Sequence, residues 1–188
     1  MNKKYLKFSK HFFAGISILI FSLISIATSE SESDKSKTES KSVENTQKNN
    51  WTYSEDTDKM EGTKIFYAST TSTNTVEFDF PYDGGSNFGI VVRNYEGKNE
   101  VLISVSKGQF MTSIGGSESV KVKFDDEKPE LYSYNSAADA SSDLIFLINS
   151  SKFIEKLKTA KTVMIETTFF NSGSQIMEFN VDDFHWEK

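Results

Sequence analysis

Residues 163–181 read VMIETTFFNSGSQIMEFNV, and this stretch decides the fold class. In its second half Met177, Phe179 and Val181 are apolar, whereas the residues between them are polar. A period of two is typical of a strand with one buried face and one solvated face. The triplet Asn171-Ser172-Gly173 supplies turn residues between two such segments. The stretch therefore predicts a β-hairpin.

The same period continues through residues 51–188. Alternation at 76–80 and 120–124 predicts two more strands. Apolar and β-branched runs predict others at 64–69, 89–94, 101–106, 130–135 and 144–148.

One segment has a helical period instead. Phe153, Ile154 and Leu157 share one face of a predicted helix over 152–160, with Ser150 or Ser151 as its N-cap. The chain from 51 to 188 is thus predicted to be mainly β, an antiparallel β-sandwich or a partly open barrel. We expect about eight to ten strands and one short helix.

The N-terminal residues predict export. Four lysines (Lys3, Lys4, Lys7 and Lys10) precede an uncharged apolar run from Phe12 to Ala27. This run is shorter than the roughly 20 residues of a membrane-spanning helix. Residues 1–29 are therefore either a signal peptide, cleaved after Ala27 or Ser29, or an uncleaved N-terminal anchor.

Residues 30–50 are almost entirely polar and are predicted to be a disordered linker. The protein is expected to be periplasmic or cell-surface, either secreted or anchored. Membrane contact is expected only through residues 3–27, if these remain uncleaved.

Composition excludes several classes of partner and site. The chain has no cysteine, so disulfides, thiolate metal sites and cysteine nucleophiles are excluded. The net charge is −6, the N-terminal lysines belong to the export segment, and Arg93 is the only arginine. The acidic remainder is a poor match for nucleic acid.

Catalytic and metal signals are sparse. His185 is the only histidine after residue 50, and no serine lies in a Gly-x-Ser-x-Gly elbow. Asp125 and Asp126 are hard oxygen ligands in a turn, where they either bind Ca²⁺ or shape the turn. No other cofactor is predicted.

Two further features point to binding. Tyr132 and Tyr134 share one strand face and are predicted to form a contact surface for a protein or glycan. Arg93 either pairs with a carboxylate inside the fold or contributes to a binding surface.

Several segments follow a recurring order: Val120–Asp126 with its Phe-Asp-Asp turn, Ala138–Phe146, Phe153–Lys161, and a hairpin ending at Phe179-Asn180-Val181. Trp51 and Asp58-Lys59-Met60 stand near the domain start. This order resembles a broad group of uncharacterised exported bacterial proteins. It is more distantly similar to periplasmic accessory proteins associated with type VI secretion. The resemblance implies a β-rich envelope protein without catalytic residues.

These features together predict a non-enzymatic exported envelope protein that acts as a binding or assembly module. Two alternatives remain open. One is an accessory component of a secretion system, and the other is a hydrolase that uses acidic residues near Asp125 and Asp126.

Overall fold

The computed structural model describes residues 50–111 and 118–188, so the predicted signal and the predicted linker up to residue 49 lie outside the described residues. The described elements, in chain order, are β1 Thr52–Thr57, β2 Lys64–Thr71, β3 Phe88–Tyr95, β4 Lys98–Val105, β5 Glu118–Phe124, β6 Glu130–Ser136, β7 Leu144–Leu147, α1 Ser150–Leu157, β8 Thr162–Phe169 and β9 Gly173–Asn180. Within these ranges, no helix has both the length and the apolar character needed to cross a bilayer.

The nine described strands form a single antiparallel sheet in the order β1-β2-β3-β4-β7-β6-β5-β8-β9. β1 and β9 are its edges, so the sheet is not closed into a barrel. Tight turns join sequential neighbours. Glu96 and Gly97, both with positive φ, connect β3 to β4 in the manner of a type I′ hairpin. The mainly β class, the number of strands and the short helix are confirmed for the described residues.

The sheet curls so that its two halves face each other across one core. Phe169 in β8 packs against Phe88 in β3 with ring centroids 5.6 Å apart, although four strands lie between β3 and β8 in the sheet. Phe78 and Phe110, from the connections after β2 and β4, contact the Phe169 ring at 5.1 and 4.9 Å. Because aromatic rings bury a large apolar area, this cluster holds the two halves together.

The ends of the domain meet on the core side of the sheet. The indole of Trp51 donates a hydrogen bond to the carbonyl of Val181 at 3.1 Å. The Phe184 ring lies 4.5 Å from the Trp51 ring and 6.4 Å from the Trp186 ring, measured between centroids. The segment after β9 therefore packs onto the start of the domain and adds its aromatic residues to the core.

The helix carries Phe153, Ile154 and Leu157 into the core, as predicted. The predicted cap is wrong, because α1 begins after Asn149, which adopts the left-handed conformation with φ 63°. The Ser150 hydroxyl donates to the carbonyl of Leu147 and accepts from the amide of Val101, both at 3.0 Å. Ser150 thus joins the helix to the sheet instead of capping it.

Two parts of the strand prediction are wrong. Residues 76–80 form only an isolated bridge between Val76 and Ser86, and a turn bond from the Tyr82 amide to Asp79 ends the extended segment. β1 escapes prediction because all six of its side chains are exposed. An edge strand paired on one side needs no apolar face, and charged residues such as Glu55 and Asp56 are typical of protected edges.

The Phe169 cluster predicts a sharp contrast between two adjacent residues. Phe169→Ala removes the ring that contacts both halves of the sheet, and we expect it to lower the free energy of unfolding by about 3–5 kcal/mol. Phe170→Ala is the matched control, because that side chain is 52% exposed, and it should cost less than about 1 kcal/mol. Urea unfolding monitored by tryptophan fluorescence measures both. Equal losses would contradict the proposed role of the cluster.

Candidate functional site

The predicted contact tyrosines lie in the core. Tyr132 is 3% exposed, and its ring packs edge-on against Phe124 and Phe153. Leu131, on the opposite face of β6, is 71% exposed. The prediction that Tyr132 and Tyr134 form an exposed surface is wrong because β6 turns its larger aromatic side chains inward, where they fill more of the core.

Tyr134 is buried in the same way but makes a defined polar contact. Its hydroxyl donates a hydrogen bond to the carbonyl of Met111 at 2.9 Å. Burial, and then the negative charge of Glu118, raises the pKa of Tyr134 to about 12. The phenol therefore stays protonated at neutral pH and serves as a core donor.

Asp125 uses its carboxylate to hold the turn after β5. Its Oδ1 accepts hydrogen bonds from the amide of Thr162 at 2.8 Å, the amide of Lys161 at 3.0 Å and the Thr162 hydroxyl at 3.1 Å. Asp125 itself has a positive φ of 45°. Asp126 is exposed beside it. Within residues 50–111 and 118–188, no three His, Cys, Asp or Glu side chains converge as a metal site requires.

Arg93 pairs with a carboxylate, which is the first of the two roles predicted for it from the sequence. Its Nε and Nη2 both donate to Oε2 of Glu100, the Nε contact measuring 2.8 Å. Arg93 lies opposite Glu100 in the β3–β4 register. The guanidinium carbon lies 5.8 Å from the centroid of the Phe146 ring, within cation–π range. The arginine thus sits at the border of an apolar region.

That region is the outward side of the central strands, which we call the Leu102 face. Successive strand residues point to opposite sides, and Ile90, Val92, Val101, Ile103, Ile145 and Leu147 line the core. The alternate positions therefore face outward. The register places Val91, Leu102 and Phe146 in one row across β3, β4 and β7. The full Leu102 face comprises Tyr67, Val91, Arg93, Glu100, Leu102, Leu144 and Phe146.

The apolar residues of the Leu102 face are separate from the core. Leu102 is 3% exposed and Leu144 is 6% exposed, yet neither belongs to the core cluster. The helix and the C-terminal segment contribute their buried residues to the core side instead. A sheet with one solvated side normally carries polar residues there, so the Leu102 face is an exception.

The other half of the sheet follows the normal rule. On the outer side of β5 and β8, Lys121 forms an ion pair with Glu166 at 2.7 Å. Leu131 and Ile176 are exposed, but each lies next to one member of that pair on the neighbouring strand. Isolated exposed apolar residues are common on protein surfaces. The contrast singles out the Leu102 face as the unusual surface.

The Leu102 face also raises the pKa of a tyrosine at its border. Burial raises the pKa of Tyr67, the positive charge of Arg93 opposes this, and the carboxylates of Asp56 and Glu100 add to the rise. These carboxylates thus lie close to one end of the face. Chemically, the site offers apolar contact area with one ion pair, in which Arg93 is buried and Glu100 is partly exposed, and an acidic border.

Apart from Arg93, no residue of the Leu102 face was predicted from the sequence as a site residue. The signal was present as unbroken apolar runs at Ile90-Val91-Val92, Val101-Leu102-Ile103 and 144–147. Continuous apolar strands are typical of sheets buried on both sides. In a chain whose other strands alternate, such runs on neighbouring strands indicate a second apolar surface.

Comparison with protein-family models, with curated proteins and with solved structures gives no match to this chain. The site is therefore interpreted from its own geometry.

Asp125 predicts a pH-dependent contribution to stability. The Thr162 amide, followed by the Lys161 amide and the Thr162 hydroxyl, lowers the pKa of Asp125 despite some opposing desolvation. A carboxylate with a lowered folded-state pKa stabilises the fold above its unfolded pKa of about 3.9 and loses this effect as the pH falls through the folded value. The difference in urea midpoint between wild type and Asp125→Asn should be constant above about pH 5 and shrink below about pH 4.

The matched control is Asp126→Asn, which changes the adjacent exposed carboxylate. We expect its urea midpoint to stay close to that of wild type throughout the titration. A pH-independent effect of Asp125→Asn, or a larger effect of Asp126→Asn, would contradict the assigned role.

Proposed function

We propose that this protein is a non-enzymatic binding module of the bacterial envelope and that it holds its partner on the Leu102 face. The observation that carries the proposal is the outward placement of Leu102 and Leu144, two apolar side chains that lie outside the core. Beside these two buried side chains, Val91 and Phe146 are half-buried. Apolar side chains grouped on the outer side of a sheet are typical of a docking site.

The chemistry of the Leu102 face favours a protein partner over a glycan. Sugar sites combine exposed aromatic faces with convergent hydrogen-bonding groups, and the tyrosines predicted for that role are buried. The Leu102 face offers aliphatic area with the Arg93–Glu100 pair at its border. An apolar segment with polar flanks matches this arrangement.

Export and a place in the envelope belong to the same proposal and rest on the N-terminal sequence. The lysines before Phe12 and the run to Ala27 support an export signal or an anchor. A role as a secretion-system accessory stays a prediction. The hydrolase alternative is less favoured, because the Asp125 carboxylate already accepts three hydrogen bonds from the backbone and the hydroxyl of the segment at 161–162.

Partner capture tests the Leu102 face directly. The protein is expressed in its host with a C-terminal tag, and partners are recovered from envelope extracts. We expect Val91→Ser to lower partner affinity by about 2 kcal/mol, roughly 30-fold, because a half-buried apolar contact beside Leu102 is lost. Leu131→Ser is the control, since it also replaces an apolar side chain with serine, on the other half of the outer surface, and should retain binding.

Urea midpoints of both variants establish that the core remains intact. Equal recovery of the same partner by wild type and Val91→Ser would contradict the assignment to this face. Failure of wild type to capture any protein above background would count against the binding function itself.

A further inference from the structure

We infer that β1 is the edge at which the sheet accepts a further strand, and that this strand is an extended basic segment of another protein. The inference goes beyond the proposed function, because it concerns an edge of the sheet and not the Leu102 face. Among the described strands, β1 pairs with β2 alone, and all six of its side chains are exposed. An edge of this kind can bind an extended peptide through main-chain hydrogen bonds.

The main-chain groups of β1 divide between β2 and solvent. Just beyond β1, the amide of Asp58 donates to the carbonyl of Thr63 at 2.8 Å, so the main chain of Asp58 faces β2. Residues that face the partner strand alternate with residues that face away from it along an antiparallel pair. The main-chain groups that point away from the sheet therefore belong to Tyr53, Glu55 and Thr57.

One of these outward groups already has a local partner, which supports the assignment. The amide of Thr57 donates to Oδ1 of Asp56 at 2.7 Å, and an amide engaged by β2 would not need this bond. No turn or loop bond within the described residues engages the amides of Tyr53 and Glu55. These two amides and the carbonyls beside them are therefore left for an added strand.

The opposite edge of the sheet is already covered. In the middle of β9, the amide of Glu178 donates to Oδ1 of Asn74 at 2.9 Å, and its carbonyl accepts from the amide of Thr73 at 2.7 Å. The side-chain amide of Asn74 also donates to the carbonyl of Ile176 at 2.9 Å. The segment after β2 thus occupies the outward groups of β9 as a short strand would. The two edges are unequal, and β1 is the one left for a partner.

The side chains at the β1 edge favour a strand of positive charge. Glu55 and Asp56 are exposed in β1, and Asp58 and Glu61 follow in the turn to β2. Lys64 pairs with Glu55 at 2.7 Å, but exposed pairs contribute little, so Glu55 remains able to interact with an added strand. Opposite charges that face each other across two strands stabilise their pairing. The added strand is therefore expected to carry lysine or arginine opposite Glu55 and Asp56.

The same carboxylates disfavour a second copy of this chain as the added strand. Charged residues on an exposed edge prevent pairing between identical edges. In a two-fold pairing centred on Glu55, that carboxylate would lie opposite its own copy, which is destabilising. The net charge of −6 adds repulsion between whole copies. The acidic edge thus excludes its own copy and selects a partner of opposite charge.

Binding of synthetic peptides to the full chain tests the inference. The probe is a short peptide that alternates lysine with threonine and valine. In a first control peptide every lysine is replaced by glutamate. In a second control the lysines stay, but adjacent central amides are N-methylated, which removes donors from both edges of the peptide strand. A purely electrostatic contact would bind the methylated peptide as tightly as the probe.

Fluorescence anisotropy is expected to show the basic peptide binding at least about tenfold more tightly than either control. Glu55→Gln should weaken binding about threefold, because one cross-strand charge pair is lost. Glu55→Pro should weaken it at least about tenfold, because it also removes an outward amide, a change that an edge strand tolerates. Glu178→Gln is the matched control, since it removes the same charge from the covered edge and should bind as wild type does.

Amide hydrogen exchange locates the peptide without any substitution. Measured by NMR, exchange at Tyr53 and Glu55 should slow at least about fivefold when the basic peptide is added. The amides of Ser54 and Asp56, which face β2, should change little. This measurement tests the inference even if Glu55→Pro lowers the urea midpoint.

Equal binding of the basic and methylated peptides, or unchanged exchange at Tyr53 and Glu55, would overturn the inference. Self-association of the wild type that Glu55→Pro abolishes would replace the basic strand with a second copy. Val91→Ser should bind the peptide as wild type does, because Val91 lies on β3, and loss of peptide binding in this variant would also contradict the placement at β1. The Leu102 face is tested separately by partner capture, so either proposal can fail while the other stands.

Discussion

The contact between Phe169 and Phe88 is the constraint on which the rest of the structure depends. These rings come from strands that are separated by four others in the sheet, so their packing requires the sheet to curl. Phe78 and Phe110 reach the same ring from two long connections. Once the halves face each other, one side of every central strand is committed to the core. The opposite side of these strands cannot contribute to the core, and on β2, β3, β4 and β7 it forms the Leu102 face.

The two halves of the outer surface carry different kinds of side chain. On β5 and β8 the outward side chains include Lys121 and Glu166, which water and a mutual ion pair accommodate. On β3 and β4 the corresponding positions include Val91 and Leu102, which cannot be solvated at low cost. Arg93 is a charged residue among these apolar positions, and like Lys121 it forms an ion pair with a carboxylate on the neighbouring strand. Its charge is held by Glu100, and its guanidinium lies near the Phe146 ring.

Most of the fold could be predicted from the sequence, but little of the candidate site could. Alternation along Met177, Phe179 and Val181 identifies a half-buried strand, because apolar side chains point to the buried face and the polar ones between them point to solvent. The same rule fails at β1, where pairing with β2 alone makes the strand, and at residues 76–80, where no long pairing is available.

Tyr132 and Leu131 show why the site was harder to predict. Alternation assigns the two residues to opposite faces but does not say which face is inside, and tyrosine is compatible with both settings. The Leu102 face also depends on register, because Val91, Leu102 and Phe146 become one row only when three strands align. Such a row joins residues up to 55 positions apart, which no local pattern can establish.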